Sequence, residues 1–497
     1  MSNGVHAIAG APTSIAAFVG WTAQGPVTAP SLVESWSQFE ATFGGLDARS
    51  LLGYAVLQFF TNGGRQAYIV RLVWDATLTP APGTSPAPAA TAAGAGGGLT
   101  LFASSPGAWG DTLEVSVMPE AADPARFSLV VRQQTGAGGG WKTLESFENL
   151  STAPSDPAFV VAVLDSASQY VSCVDPASGV PVIPAAPPSA SGIIALSGGA
   201  DGDVLTPASD GNFEIALISS PQGGVSRLNL VPAFNLLCVP GETDAPTLAA
   251  LQAYCAAKRA VCIIDAPQSA TCAALLSSAP VGTANGACYF PWVLADDPLL
   301  EGQARLFPPC GFVAGIFAAT DAGRGVWKAP AGPAARLTGA SGLQYSLDDA
   351  QSDALNSQAI NCLRQFAVEG PVVWGARTLQ GADGTGSPWT YIPVRRLALH
   401  IEASLYAGTQ WALFEPNDAA LWGELRLSVG AFMQALFDEG AFQGATPAEA
   451  WFVTCGAEIN PPASVAAGIV NIVVGFAPLE PAEFVVIQIS QLAGPGS

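Results

Sequence analysis

The chain is short of positive charge. Of its 497 residues 18 are Lys or Arg, and only three of those are Lys (Lys142, Lys258, Lys328), against 39 Asp and Glu. A net charge of −21 repels phosphate backbones, and no basic arm or stripe is present, so nucleic acid is not an expected partner. Histidine is nearly missing: His6 and His400 are the only two. A Ser–His–Asp triad would need one of them, and no GxSxG elbow exists. His6 lies in a terminal segment, a poor platform for a base, and His400 sits beside apolar neighbours, where a structural role fits. No lysine completes a GxxxxGK[ST] phosphate loop. No Cys-x-x-Cys pair exists for zinc, and the nine cysteines stand in apolar sequence (Cys238, Cys262, Cys288) as small core residues do. Asp201, Asp203 and Asp210 have the wrong spacing for an EF-hand and read as a solvated turn. The glycine runs at 94–98 and 136–140 lack GxGxxG spacing. The expectation is therefore no catalytic residue, no cofactor and no metal.

Basic residues are absent before Arg49, so the basic start of a secretory signal is missing. The most apolar stretch, 463–478, is broken by Asn471 and two glycines and is too short to span a bilayer. Synthesis and assembly in the cytoplasm, without direct membrane insertion, are expected. Charged residues make up 11% and hydrophobic ones 49%, little charge for the surface of a soluble monomer. Either other subunits cover much of that surface, or the composition reflects a bias toward Ala, Gly and Pro codons.

What is present is organised in blocks, and the length calls for two to four domains. Leu51, Leu52, Ala55, Val56, Phe59 and Phe60 recur at helical spacing and stop at Asn62–Gly64, before a β-rich run at 67–73. Residues 76–98 are Pro, Ala and Gly without periodicity and read as a flexible linker. From 99 to 210, short alternating segments between turn signals predict an inserted β-rich outer domain. From 211 to 370, apolar strands (around Cys238, Cys262 and Cys288) alternate with helices (245–259 and after Pro309), which predicts a parallel α/β sheet. Residues 371–497 read as α+β, with helices over 395–405 and 418–437 and strands at 451–455, 466–478 and 483–492. Residues 1–22 are expected to be an extended arm and 23–75 an N-terminal helix–strand segment.

The densest stretch is 371–418, where Trp374, Arg377, Trp389, Arg395, Arg396, Trp411, Glu415 and Asn417 gather without a catalytic set. Its run WGARTL, YIPVRRL, FEPN resembles the C-terminal domain of contractile tail sheath proteins. TSIAAFVGWTAQGP, SWSQFEATFGG and FFTNGGRQAYIVR resemble that family's N-terminal region. SPGAWGDTLEV is similar to its inserted domain, and FNLLCVPG, AYCAAKRAVCIIDAP and GRGVWKAPAG to its central α/β domain, which is compared with a subtilisin-like fold. GFAPLEPAEFVVIQI completes the series in order.

The resemblance implies a subunit of a phage tail or phage-tail-like contractile injection system. Such a subunit forms a helical homo-oligomer, possible paralogues included, around an inner tube protein, with baseplate and terminal cap proteins as further partners. It also implies intersubunit strands at both ends: Val5 and Ile8 in the N-terminal arm, and Phe484, Val485, Val486, Ile487, Gln488 and Ile489 in the C-terminal strand. From the residues alone, the alternating C-terminal run can pair with 467–476 of its own chain, with a foreign sheet edge, or with both. The N-terminal arm has too few large apolar residues to fold alone, so it is either disordered or held by a neighbour. Arg324, Trp327 and Lys328 lack an accompanying nucleophile and read as interface anchors. Arg395 and Arg396 are expected either in internal pairs, with Glu402 or Glu415, or facing the tube. Two other classes stay open: a hydrolase on the central domain, and a surface-binding module in the β insertion.

Overall fold

A computed structural model describes residues 6–74, 89–136, 138–208, 211–219 and 224–483. Its first strand comes from sequence expected to belong to an extended arm. Ala16–Trp21 (β1) is buried along its whole length and pairs in parallel with two later strands. The arm boundary at residue 22 is thereby corrected. AAFVGW is a short continuous apolar run, which fits a strand covered on both faces and a buried helix segment alike, and lacks the alternation that marks a half-exposed strand. Ser31–Val33 (β2) and Ala67–Leu72 (β3) follow. Between them lie helices Trp36–Phe43 (α1), capped by the Ser35 side chain, and Leu52–Thr61 (α2), which ends at Asn62 and Gly63.

The chain then leaves this sheet for a β-rich unit. Ala93–Gly96 (β4) and Leu99–Ala103 (β5) form a hairpin turned by Gly97 and Gly98, both at positive φ. The end of the expected linker is thus a strand, while 75–88 lie outside the described residues. Leu113–Pro119 (β6), Phe127–Gln134 (β7) and Trp141–Leu150 (β8) make an antiparallel meander. Val171–Ser172 (β9) joins β5, and Gly192–Ala195 (β10) joins β6. Their inward residues, among them Leu101, Val115, Leu129 and Val131, close a separate apolar cluster.

Leu236–Cys238 (β11) returns to the main sheet, followed by Val261–Asp265 (β12) and Gly286–Phe290 (β13). Val293–Asp297 (β14), Gln303–Phe307 (β15) and Ala340–Leu343 (β16) form a small antiparallel sheet beside it. Ile360–Phe366 (β17) and Gly370–Val373 (β18) complete the order β18-β17-β13-β12-β11-β1-β3-β2, parallel except at its two antiparallel edges. Consecutive residues of β1 alternate between two apolar clusters, Ala16 and Phe18 on one face, Ala17, Val19 and Trp21 on the other. Helix α2 and Cys310–Arg324 (α4) cover the first face, and Ala245–Lys258 (α3), capped by Asp244, covers the second. Helices α2 and α4 approach closely because Gly311 lies against the Ala55 backbone, where an added Cβ would sit 2.4 Å from its carbonyl oxygen.

The C-terminal part is built on Ile392–Gly408 (α5) and Ala419–Asp438 (α6). Trp451–Thr454 (β19) and Val473–Phe476 (β20) form an antiparallel ladder with no third strand among the described residues. The expected strand over 466–478 is only β20, because the chain turns after the Pro462–Ala466 helix at Gly468, at positive φ, and Asn471 is bonded to Asn460 and Ile459 instead of a strand. Phe484–Ile489 and Val5 lie outside the described residues, so their expected pairing is not placed by the structure.

Candidate functional site

The features that could serve association lie where residues 6–15 and 479–483 meet the C-terminal part. Residues 6–15 run along α5. The His6 ring stacks on Trp411 at 4.0 Å, and Ile8 packs beside Gly408, where a Cβ would come within 2.6 Å of it. Ala11 N donates to Ser404 Oγ at 2.8 Å. Asn235 holds the turn into β1, donating to Pro12 O and accepting from Ile15 N. Ile8, expected in an intersubunit strand, is therefore in contact with its own chain's apolar cluster and is not in a strand.

Arg395 and Arg396 diverge because neighbours on a helix point about 100° apart. Arg396 is buried, forks onto Asp321 of α4 at 2.6 and 2.9 Å, and donates to Thr13 O at 2.9 Å. Asp321 and Thr13 thus occupy the Arg396 guanidinium, an internal pair with a partner other than the expected Glu402 or Glu415. Arg395 reaches Glu402 at 3.5 Å and Asn285 Oδ1 at 3.2 Å, and its guanidinium lies 4.9 Å from the centre of the Trp389 ring. Burial depresses its pKa.

Arg324, Trp327 and Lys328 do come together, on the wall of a groove of about 900 Å³. Gly325 makes this possible: at φ +84° it ends α4, and a Cβ there would strike the Trp327 ring. Lys328 donates to Ala329 O, and burial, reinforced by Arg324, lowers its pKa. Trp374, Glu439 and the last described residues, Leu479–Glu483, form the opposite lining.

The residue that sequence reasoning missed is Arg377. The sequence marks it only as one of the long polar residues of 371–418, without a partner. Its guanidinium is held by Glu483 (Nε–Oε1 2.9 Å, Nη2–Oε2 2.5 Å), by Asp383 at 2.7 Å, and by the carbonyls of Asn356 and Gly381. The bond to Glu483, more than the opposing burial, holds Arg377 well above the usual arginine range. Fully buried Asn361 fixes its backbone, accepting from Arg377 N at 2.7 Å and donating to Arg377 O at 2.8 Å. Asn356 adds a donor to Glu483 Oε1. No local signal could have joined Arg377 to a carboxylate 106 residues away.

Around His400 the polar groups are engaged with the main chain. Ser404 Oγ donates to the His400 backbone carbonyl and accepts from Ala11 N, so its hydroxyl is committed to main-chain partners. Burial lowers the His400 pKa. Where strand order reverses in an open α/β sheet, here between β1 and β11, ligands usually bind at the carboxyl ends of the strands. That crevice holds only about 30 Å³, being filled by Leu205, Pro207 and Phe213. Beside it, burial and the facing Glu214 raise the Glu242 pKa to about 7. Asp265, which accepts from Gly241 N and Cys310 N, is raised by burial to about 6. Among the described residues, no group of three or more His, Cys, Asp and Glu is placed to hold a metal ion. No described helix is long and apolar enough to cross a membrane.

Comparison with known proteins gives one answer. Residues 231–379 match the model for the phage tail sheath protein central domain, and 385–491 that for the phage tail sheath C-terminal domain. A prophage major tail sheath protein of Pseudomonas aeruginosa (strain UCBPP-PA14) is 30% identical over 224 residues, which span 44% of this chain and 55% of that protein. Among solved structures, the sheath complex of an extracellular contractile injection system in the contracted state is similar over 99% of this chain and 95% of that one, with TM-score 0.60 and 20% identity. The contracted helical sheath of the anti-feeding prophage gives TM-score 0.58 and 20% identity over 98% and 96%. At that identity, these structures establish a shared fold.

Proposed function

The chain belongs to the phage tail sheath family, and on that premise we propose that it is the structural subunit of a contractile sheath. Many copies assemble helically around an inner tube and contract to drive the tube through a target envelope. The observation that carries this reading is the match to both sheath domain models in order, on a chain whose fold follows sheath subunits over nearly its whole length. Self-association and attachment to a baseplate, a tube and a terminal cap are the partner interactions that follow. Assembly in the cytoplasm, as part of a phage tail or a phage-tail-like particle, goes with this reading. So does the division into an N-terminal arm and segment, an inserted outer β domain, a subtilisin-like central domain and a C-terminal sheath domain.

The mechanism follows from what a strand ladder lacks. β19 and β20 have no outer partners among the described residues, and an unpaired edge accepts an added strand through main-chain hydrogen bonds. Val485, Ile487 and Ile489 alternate with Phe484, Val486 and Gln488, as such a strand requires. The terminal segments around Val5–Ile8 and Phe484–Ile489 are lent to neighbouring subunits and keep rings tied together while each body rotates. Arg324, Trp327 and Lys328 serve contacts between subunits, and Arg395 is the member of its pair left partly free to face the tube. Energy is stored at assembly in a metastable lattice and released on triggering, so the lifetime of the extended state is kinetic.

Removing 484–497 tests the reading. The truncated chain is expected to stay folded and monomeric while losing sheath formation, scored by electron microscopy. Regular sheaths from the truncated chain would refute the tether.

A further inference from the structure

Strands that tie subunits together must pass their load into the body of the subunit, and two buried arginines stand at the places where this happens. Arg377 grips Glu483 with both arms of its fork, and Phe484, the first residue of the proposed lent strand, is the next residue along. Arg396 grips the carbonyl of Thr13, three residues before β1 begins, while its other bonds go to Asp321 on α4. Both arginines come from the stretch 371–408, and both are nearly inaccessible to water. Paired charge-assisted bonds from a planar fork resist displacement, and Arg377 makes such a pair directly on Glu483, whereas Arg396 gives Thr13 one hydrogen bond from a guanidinium itself fixed by its fork on Asp321.

We propose that Arg377 and Arg396 are the root anchors of the two terminal segments. Each delivers tension from its segment to the junction of α4, α5 and the 374–391 loop, before that tension reaches the strand pairs of the central sheet. The inference rests on the sheath reading for its source of tension. The anchoring geometry stands independently of it.

The asymmetry of the contacts supports the assignment. On the N-terminal side, residues 6–11 lie on α5 through the His6 ring stack, the packing of Ile8, and hydrogen bonds of the Ala11 backbone with Ser404 and His400. That part can peel from α5 toward a neighbour while Thr13, Pro12 and Ile15 stay fixed by Arg396 and Asn235. On the C-terminal side, Glu483 is bound by Arg377 and Asn356, and nothing separates it from the segment to be lent. Asp383 shares the same guanidinium, but its side chain is mostly exposed and it lies in the 374–391 loop, so it is an internal control.

The experiment compares the full-length chain with Glu483→Gln, Arg377→Lys, Arg396→Lys and Asp383→Asn. Circular dichroism reports fold, hydrogen exchange mass spectrometry reports residues 6–15 and 479–483, and electron microscopy reports cylinder length. Glu483→Gln and Arg377→Lys are expected to speed exchange at 479–483 by about tenfold or more, with exchange in the central sheet unchanged. Arg396→Lys is expected to do the same at 10–15. All three should shorten or fray cylinders, and Asp383→Asn should do neither. Unchanged exchange in the folded variants, unchanged cylinders despite faster exchange, or an equal effect from Asp383→Asn would each overturn the anchor. If the unmodified chain makes no cylinders, the sheath reading fails, and the exchange result still decides whether the roots are anchored.

Discussion

The central sheet and the β19–β20 ladder are made of the same material and are finished to different degrees. Eight strands in the first are covered by helices on both faces, and its edges end in antiparallel strands rather than in an open parallel row. The second has two strands, with Phe452 and Val473 about half exposed and Phe452 lying over Gly475 of the partner strand. Burial on that scale makes the first region the seat of the subunit's own stability. On the sheath proposal, the second gains what it lacks from another chain, and folding alone is kept apart from joining a lattice.

Arg71 shows how the self-sufficient half is held to its neighbour. Buried without a carboxylate, it donates to the carbonyls of Thr22, Ala23 and Gly25 and to that of Pro106, in the β unit. Desolvation brings its pKa down to about 10, still well above neutrality, so the guanidinium stays charged and keeps its donors.

The comparison breaks most visibly in the core. Phe18→Ala empties a fully buried site in β1 and should cost about 3–5 kcal/mol in denaturant unfolding, abolishing assembly through loss of the fold. A middle-sized effect depends on pH. The folded pKa of Glu242, about 7, lies above its ordinary value of 4.5. The stability this group contributes is therefore fully present below about pH 4.5 and is lost as pH rises through about 7. Glu242→Gln should match the unmodified chain at pH 4.5 and melt at a higher temperature at pH 8. Equal melting temperatures at pH 8 would show that burial does not raise the Glu242 pKa in the fold. The smallest effect on the monomer sharpens the comparison most. Phe452→Ser should cost the isolated subunit no more than about 1 kcal/mol, yet reduce cylinder formation, measured by sedimentation. A variant that unfolds instead would show that the ladder supports the fold itself.

Much of this architecture was legible where a local pattern sets the structure. The apolar spacing of α2, the helix expected over 245–259, and the runs around Cys238, Cys262 and Cys288 each specify an element without distant help. Strand β1 was not legible as a strand because six small and apolar residues carry no alternation once both faces are buried. Arg395 finds Glu402 on its own helix, a partner that spacing suggests, whereas Arg396 finds Asp321 and Thr13, and Arg377 finds Glu483, through the fold alone. Resemblance pointed to the family, and only packing brought the roots of the two ends beside the same arginine-rich stretch.

The central claim is that this subunit builds a hollow helical cylinder from its own copies. Negative-stain electron microscopy of the full-length chain, alone and with a tube partner, measures that directly. Striated cylinders alone, and narrower ones around the tube, are the predicted result. Discrete monomers in both preparations at high concentration would contradict it.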